Sequence, residues 1–156
     1  MPQPNPVIRA ANLDDLLDLT RLYIAYRVFY GEPPAEAAAE QFIRERISSN
    51  AGRYFLAWDE HGERTSPIGF MHLMPSTNTL AMRPIWLLED LYIEPAARRQ
   101  GIASCLLREA EAFARRTGAE RITLSTAHNN EIAQSIYRRA GYEREEHFWY
   151  FHRVLT

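Results

Sequence analysis

The sequence predicts an α+β fold with a parallel strand–helix–strand unit at its centre, and three observations carry that reading. At 156 residues the chain has the length of one domain, so 1–156 is read as a single unit. Its short apolar runs and helical-period segments alternate in the order β-α-α-β-β-β-α-β-α-β. The run Ile85–Ile93, the helical segment from Gln100 to Arg116 and the run Arg121–Ser125 form a crossover unit. A right-handed crossover makes its two strands parallel.

Each element has its own signal. Pro6–Ala10 reads as a first strand, and Asn12 as the cap of a helix with Asp14 and Asp15 in its first turn. Leu13, Leu16, Leu17, Thr20 and Ile24 fall at helical spacing and mark the face laid on the sheet. Gly31-Glu32-Pro33-Pro34 breaks that helix, and Ala35–Ile47 forms the next. Tyr54–Trp58 and Ile68–Met74 read as an antiparallel hairpin across a polar turn, Asp59–Ser66, that contains Gly62. Pro75–Met82 reads as a loop. Ile85–Ile93, bounded by Pro84 and Pro95, is the strongest strand. The helix ending at Gly118 keeps Ile102, Cys105, Leu106, Ala110 and Phe113 on one face. Asn129 caps a helix running to Ala140, and the tail Arg144–Val154 is expected to hold one or two last strands.

Composition narrows the function classes. A hydrophobic fraction of 46% with 24% charged residues is that of an ordinary globular protein. A net charge of −2 offers no bulk electrostatic basis for nucleic-acid binding. No apolar run reaches the length of a membrane span, and the first residues lack the pattern of a signal peptide, so a cytoplasmic address is expected. One cysteine, Cys105, allows neither an internal disulfide nor a multi-cysteine metal site. The histidines His61, His72, His128, His147 and His152 are scattered without metal-ligand spacing, and no metal is expected. All 18 basic residues are arginine, so the chain has no lysine on which it could modify itself.

The most informative stretch runs from Leu88 to Ala103, where a strand leads through a short loop into a helix. The first amides of a helix have no intrahelical partner and carry the positive end of its dipole. They form an anion site suited to a pyrophosphate. Gly101 allows close approach to the backbone, Ala103 is small, and Arg98 and Arg99 can add charge-assisted contacts. The segment is neither a dinucleotide fingerprint nor a P-loop, since the spaced glycines and the Gly-Lys-Ser/Thr are missing.

Arg98-Arg99-Gln100-Gly101-Ile102-Ala103 resembles the Q/R-x-x-G-x-G/A motif of the GNAT (GCN5-related) N-acetyltransferases. Leu88-Glu89-Asp90-Leu91-Tyr92-Ile93-Glu94-Pro95 resembles the strand that precedes it in that family. Downstream, Asn130, Ala133, Tyr137, Gly141 and Tyr142 match the pattern N-x-x-A-x-x-x-Y-x-x-x-G-F/Y without a gap. The resemblance implies the family's α/β/α layered acyl-CoA N-acyltransferase fold: a mixed, mostly antiparallel sheet whose two parallel central strands, Ile85–Ile93 and Arg121–Ser125, splay apart around the co-substrate. It implies acetyl-CoA as that co-substrate. Its pyrophosphate would lie on Arg98, Arg99, Gln100, Gly101, Ile102, Ala103 and Ser104, its pantetheine along Leu91, Tyr92 and Ile93, and Asn130 beside the pantetheine or thioester.

Acetyl transfer to an amine needs a base, an oxyanion donor and an acid for the thiolate. Strict alternation places Glu89 with Leu87, Leu91 and Ile93, and on an interior face desolvation would raise its pKa towards that of a base acting through a water. The Glu-Asp pair resembles the same stretch in spermidine/spermine acetyltransferases, where the Glu has this role. Alternation sends Asp90 to the opposite face as a structural group, unless a bulge shifts the register. Tyr137 is the candidate acid and the backbone N–H near Leu91 the oxyanion donor. Cys105 falls on a core face, which favours direct attack in a ternary complex over an acetyl-cysteine intermediate.

The acceptor is read less directly. Tyr23, Tyr26, Arg27, Phe29, Tyr30 and Glu32, followed by Met82, Arg83 and Trp86, lie where the family shapes its acceptor site. Tyr26, Tyr30 and Trp86 are the candidate substrate contacts. Aromatic rings with acidic neighbours suit a cationic small-molecule amine such as a polyamine or amino acid. A protein N-terminus or lysine is the rival acceptor, and a non-catalytic acyl-CoA sensor is the rival class. The aromatic tail Trp149-Tyr150-Phe151 suits a homodimer contact.

Overall fold

A computed structural model of the chain describes residues 5–59 and 66–156. His61 and most of the expected turn Asp59–Ser66, Gly62 included, lie outside the described residues. Residues up to Ser125 form one compact unit and Thr126–Thr156 another.

The first unit is a five-stranded sheet in the order β1-β2-β3-β4-β5, where β1 is Val7–Ala10, β2 Arg53–Trp58, β3 Gly69–Asn78, β4 Arg83–Ile93 and β5 Ile122–Leu124. The first three pairings are antiparallel and β4–β5 is parallel, as the crossover helix requires. Helices α1 (Leu16–Phe29) and α2 (Glu36–Ser48) cover one face, where Leu16, Leu19, Leu22 and Ile43 bury against Tyr54, Leu56, Phe70 and Tyr92. Helix α3 (Ile102–Arg116) covers the other, where Phe113 meets Phe55 and Trp86.

Several expectations need correction. The buried stripe of α1 is Leu16, Leu19, Thr20 and Leu22, so Leu16 and Thr20 stand as expected, whereas Leu13 and Leu17 are exposed. A 3-10 turn over Leu13–Asp15, capped by Asn12, precedes the helix and resets its phase. The loop expected over Pro75–Met82 is partly strand, because β3 continues to Asn78 against β4. Its pairing with β2 ends at Leu73, so the proline at position 75 sits where that edge of β3 is open. Helix α3 begins at Ile102, since Arg99 and Gly101 have φ of +63° and +79°.

The second unit contains α4 (Glu131–Arg139), capped by Asn130 rather than Asn129: the Asn130 side-chain oxygen accepts from the Ala133 N–H. The strands expected over Arg144–Val154 do not form. Residues 143–156 contain no strand, and Phe148, Trp149, Tyr150 and Phe151 are 71–88% exposed. Consequently β5 is an edge strand of the described sheet rather than a central one.

Candidate active site

The site is built on two irregularities of β4. The first is a bulge. His72 of β3 pairs with Asp90, but the next residue, Leu73, pairs with Leu88, so Glu89 is the extra residue. The bulge reverses the faces after it. Trp86 and Leu88 are buried on the α3 side, while Asp90 and Tyr92 share the α1 side with their β3 partners His72 and Phe70. Glu89 is exposed, so the interior face expected for it, with Leu91 and Ile93, is not where it stands.

The second is a parting of strands. β5 pairs with β4 only from Trp86 to Leu88 and ends at Leu124, whereas β4 continues to Ile93. The stretch carrying Leu91, Tyr92 and Ile93 therefore has no β5 ladder beside it. An extended amide-bearing arm can pair there as an added strand does.

β4 then runs through a 3-10 turn, Pro95–Ala97, to the cradle. Gly101 is the N-cap of α3 in left-handed conformation, and no side chain caps the helix. The amides at Ile102, Ala103 and Ser104 are the helix's unpartnered donors, the chemistry a pyrophosphate needs. Arg99 and Gln100 are exposed. Arg98 instead turns back towards β4, where its Nε–H donates to the Ile93 carbonyl at 2.9 Å. Its guanidinium lies 5.0 Å from the Phe29 ring centre and 5.5 Å from that of Tyr92. That arginine joins the cradle to the end of α1.

The end of α1 and the α1 side of β4 form an aromatic cluster. Tyr26 lies 5.0 Å from Tyr30 and 6.3 Å from Tyr92, and Phe29 touches both Tyr30 and Tyr92. Burial pushes the Tyr26 phenol's pKa up, and the negative charge of Asp90 beside it adds to that. Tyr26 and Tyr30 are thus brought together beside Asp90. Trp86 is not part of this group: it is buried on the opposite face against Phe113, and its Nε1–H donates to Thr117 Oγ1 at 2.8 Å.

Sequence reasoning missed His72. It is 2% exposed and sits 2.7 Å from the Asp90 carboxylate through Nδ1. What brings His72 to Asp90 is the register of β3 on β4, which no local sequence signal carries. Within the second unit, Asn130 and Tyr137 lie two turns apart on α4, and the half-buried Tyr137 ring rests on Tyr142 at 6.0 Å. Among the described residues no cluster of three or more His, Cys, Asp or Glu is arranged to hold a metal, and no helix is long and apolar enough to cross a membrane.

Comparisons with known proteins give the family and the fold. The model of the Acetyltransferase (GNAT) family matches residues 16–142. An uncharacterized N-acetyltransferase of Bacillus subtilis, YhfO, is 34% identical over 144 residues, which is 92% of this chain and 94% of that protein. An aminoglycoside N(6′)-acetyltransferase type 1 of Acinetobacter haemolyticus is 25% identical over 121 residues, 78% of this chain and 83% of that one. The crystal structure of a probable acetyltransferase superposes with a TM-score of 0.90 at 32% identity, covering 96% of this chain and 98% of its own. An aminoglycoside N-acetyltransferase in complex with CoA shares the fold at a TM-score of 0.78, 20% identity and 97% coverage of both chains. The chain therefore belongs to the GNAT acetyltransferase family, and it is an acetyl-CoA-dependent N-acetyltransferase.

Proposed function

We propose that the enzyme acetylates the primary amine of a small cationic molecule, a polyamine or an amino acid in the first instance, by direct attack in a ternary complex. The observation that carries this is the aromatic group at the end of α1, where Phe29 and Tyr92 already hold the guanidinium of Arg98. Rings that seat one organic cation can seat another. Relatives named aminoglycoside N(6′)-acetyltransferases, 25% to 31% identical, support an acceptor of this kind.

The roles follow from the site. Arg98, Arg99, Gln100, Gly101, Ile102, Ala103 and Ser104 bind the pyrophosphate, and Leu91, Tyr92 and Ile93 the pantetheine. The N–H near Leu91 donates to the oxyanion. Glu89, standing in solvent on the bulge, takes the amine's proton through a water, and Tyr137 protonates the departing thiolate, with Asn130 beside the thioester. The enzyme works in the cytoplasm, and it works as a homodimer, the second reading supported by the exposed aromatic run Phe148–Phe151.

The test is release of CoA, followed with a thiol reagent, from acetyl-CoA and a panel of polyamines, amino acids, aminoglycosides and short peptides. Turnover with a small amine and none with peptides supports the reading. Turnover confined to peptides replaces it with a protein acceptor. With the amine found, Tyr137→Phe is expected to lower kcat roughly 100-fold, the scale of general-acid catalysis, while the Kd for acetyl-CoA stays within about twofold. An unchanged kcat removes the acid role from Tyr137.

A further inference from the structure

We propose that Asp90 is the counter-ion that receives the acceptor's ammonium group, and that His72 is the positioning residue that holds its carboxylate in place. The inference rests on the amine reading above and names the residue that would enforce it.

The fold gives Asp90 no arginine partner among the described residues. Its side chain is 16% exposed, and among the described residues the only basic group within ion-pair distance is His72, at 2.7 Å. Arg46 approaches the other ring nitrogen, its Nε 3.4 Å from His72 Nε2. A guanidinium only donates, so Nε2 is the acceptor in that contact and Nδ1 is left to donate to Asp90. Arg46 thus reaches the carboxylate only through the imidazole. The other groups facing this cluster are phenols: Tyr23 and Tyr26 from α1, Tyr54 from β2 and Tyr92 from β4, of which Tyr26 is within hydrogen-bonding reach of the Asp90 carboxylate. Tyr54 stacks on His72 at 4.2 Å, and its buried hydroxyl, although near Arg46, makes no hydrogen bond of normal geometry. A largely buried carboxylate with no arginine beside it carries a desolvation cost that a bound cation offsets.

The placement is also specific. The bulge at Glu89 is what turns Asp90 to the α1 face, beside Tyr26 and one residue pair from Tyr92, where Arg98 already demonstrates cation binding. His72 is held on both sides, by the Tyr54 ring and by Arg46, and Gly52 leaves it room. A Cβ at position 52 would fall 2.4 Å from Nε2. The imidazole cannot swing away, so it fixes the carboxylate to which it donates.

The experiment compares steady-state kinetics of the wild-type enzyme and three variants, with acetyl-CoA and the amine that wild type turns over fastest. Asp90→Asn is expected to raise the KM for the amine by about 10- to 100-fold, with the KM for acetyl-CoA within about twofold of wild type. His72→Asn, whose amide can donate from near the Nδ1 position, is expected to stay within a few-fold of wild type, whereas His72→Leu raises the amine KM as Asp90→Asn does. An Asp90→Asn enzyme with a wild-type amine KM overturns the counter-ion role. Equal damage by His72→Asn and His72→Leu, or a parallel rise in both KM values, overturns the positioning role. A wild-type enzyme that releases CoA with no amine overturns the amine reading and this inference with it. Circular dichroism confirms that each variant is folded.

Discussion

Asp15 is buried at the start of α1 and holds two separate segments together. Arg9 of β1 donates to both of its oxygens, at 2.9 and 2.7 Å, and the Asn12 N–H donates to Oδ2 at 3.0 Å. Those bonds, Arg9's first, hold the Asp15 carboxyl below the usual carboxylate range. A depressed folded-state pKa contributes stability above the unfolded value, near 3.9, and that contribution is lost as pH falls through the folded value. Asp15→Asn is therefore expected to cost about 1 kcal/mol at pH 7, the scale of a lost cap, with Arg9 half in solvent moderating the ion-pair share. The gap between the two proteins should close towards pH 3. Urea titrations at both pH values measure it, and a gap of equal size at pH 3 shows that shape rather than charge is at stake. The cap was legible, because Asn12 and two acids in a first turn are a local signal. The partner in β1 was not, because nothing local specifies which of 18 arginines a carboxylate meets.

At the scale of elements, the same division separates the cradle from the bulge. The cradle proposed for the pyrophosphate is a short contiguous segment whose glycine, small residues and arginines each have a local reason, so the sequence alone suffices to propose it. The bulge depends on how β4 registers against β3 at His72 and Leu73, a partner choice made across the sheet. Period-2 alternation read without it put Glu89 inside and Asp90 opposite, and it left His72 as one of five scattered histidines with no partner assigned. The tail strands failed for a related reason: β-propensity in an aromatic run is satisfied only when a neighbouring strand supplies the ladder. The cradle itself has a sharp conformational requirement. Gly101, with φ of +79°, occupies a region that costs a residue with a Cβ about 1–2 kcal/mol. Gly101→Ala should lower stability by that amount and also place a methyl group where a pyrophosphate bound at the proposed cradle would approach. We expect a Kd for CoA at least about tenfold weaker by calorimetry, equivalent to 1.4 kcal/mol, alongside the lowered melting temperature. A stable variant with unchanged CoA affinity would show that the pyrophosphate does not lie on this turn.

The whole molecule presents one surface that a lone copy leaves unresolved. In an extended chain neighbouring side chains take opposite faces, so Phe148 and Tyr150 would lie on one face of the tail and Trp149 and Phe151 on the other. All four are 71–88% exposed, and Val154 and Leu155 follow them at 77% and 86%. A segment apolar on both faces is the pattern of a strand covered from both sides, and isolated proteins rarely expose so continuous an apolar patch. Aromatic side chains bury about 150–250 Å² each, so these four offer on the order of 500–800 Å² per copy. That approaches the roughly 800 Å² per partner of a stable interface. Two copies exchanging or pairing their tails would cover this area from both sides. Light scattering on a sizing column is then expected to give twice the 18.1 kDa chain mass at micromolar concentration. A Trp149→Glu/Phe151→Glu double variant, which places two charges in each tail, should elute as a monomer with its circular dichroism retained and its Kd for CoA unchanged. Neither Trp149 nor Phe151 is assigned to CoA, so assembly and CoA affinity are read separately. A wild-type mass of one chain, or a dimer indifferent to both charges, would mean that the aromatic run serves some surface other than a second copy of this chain.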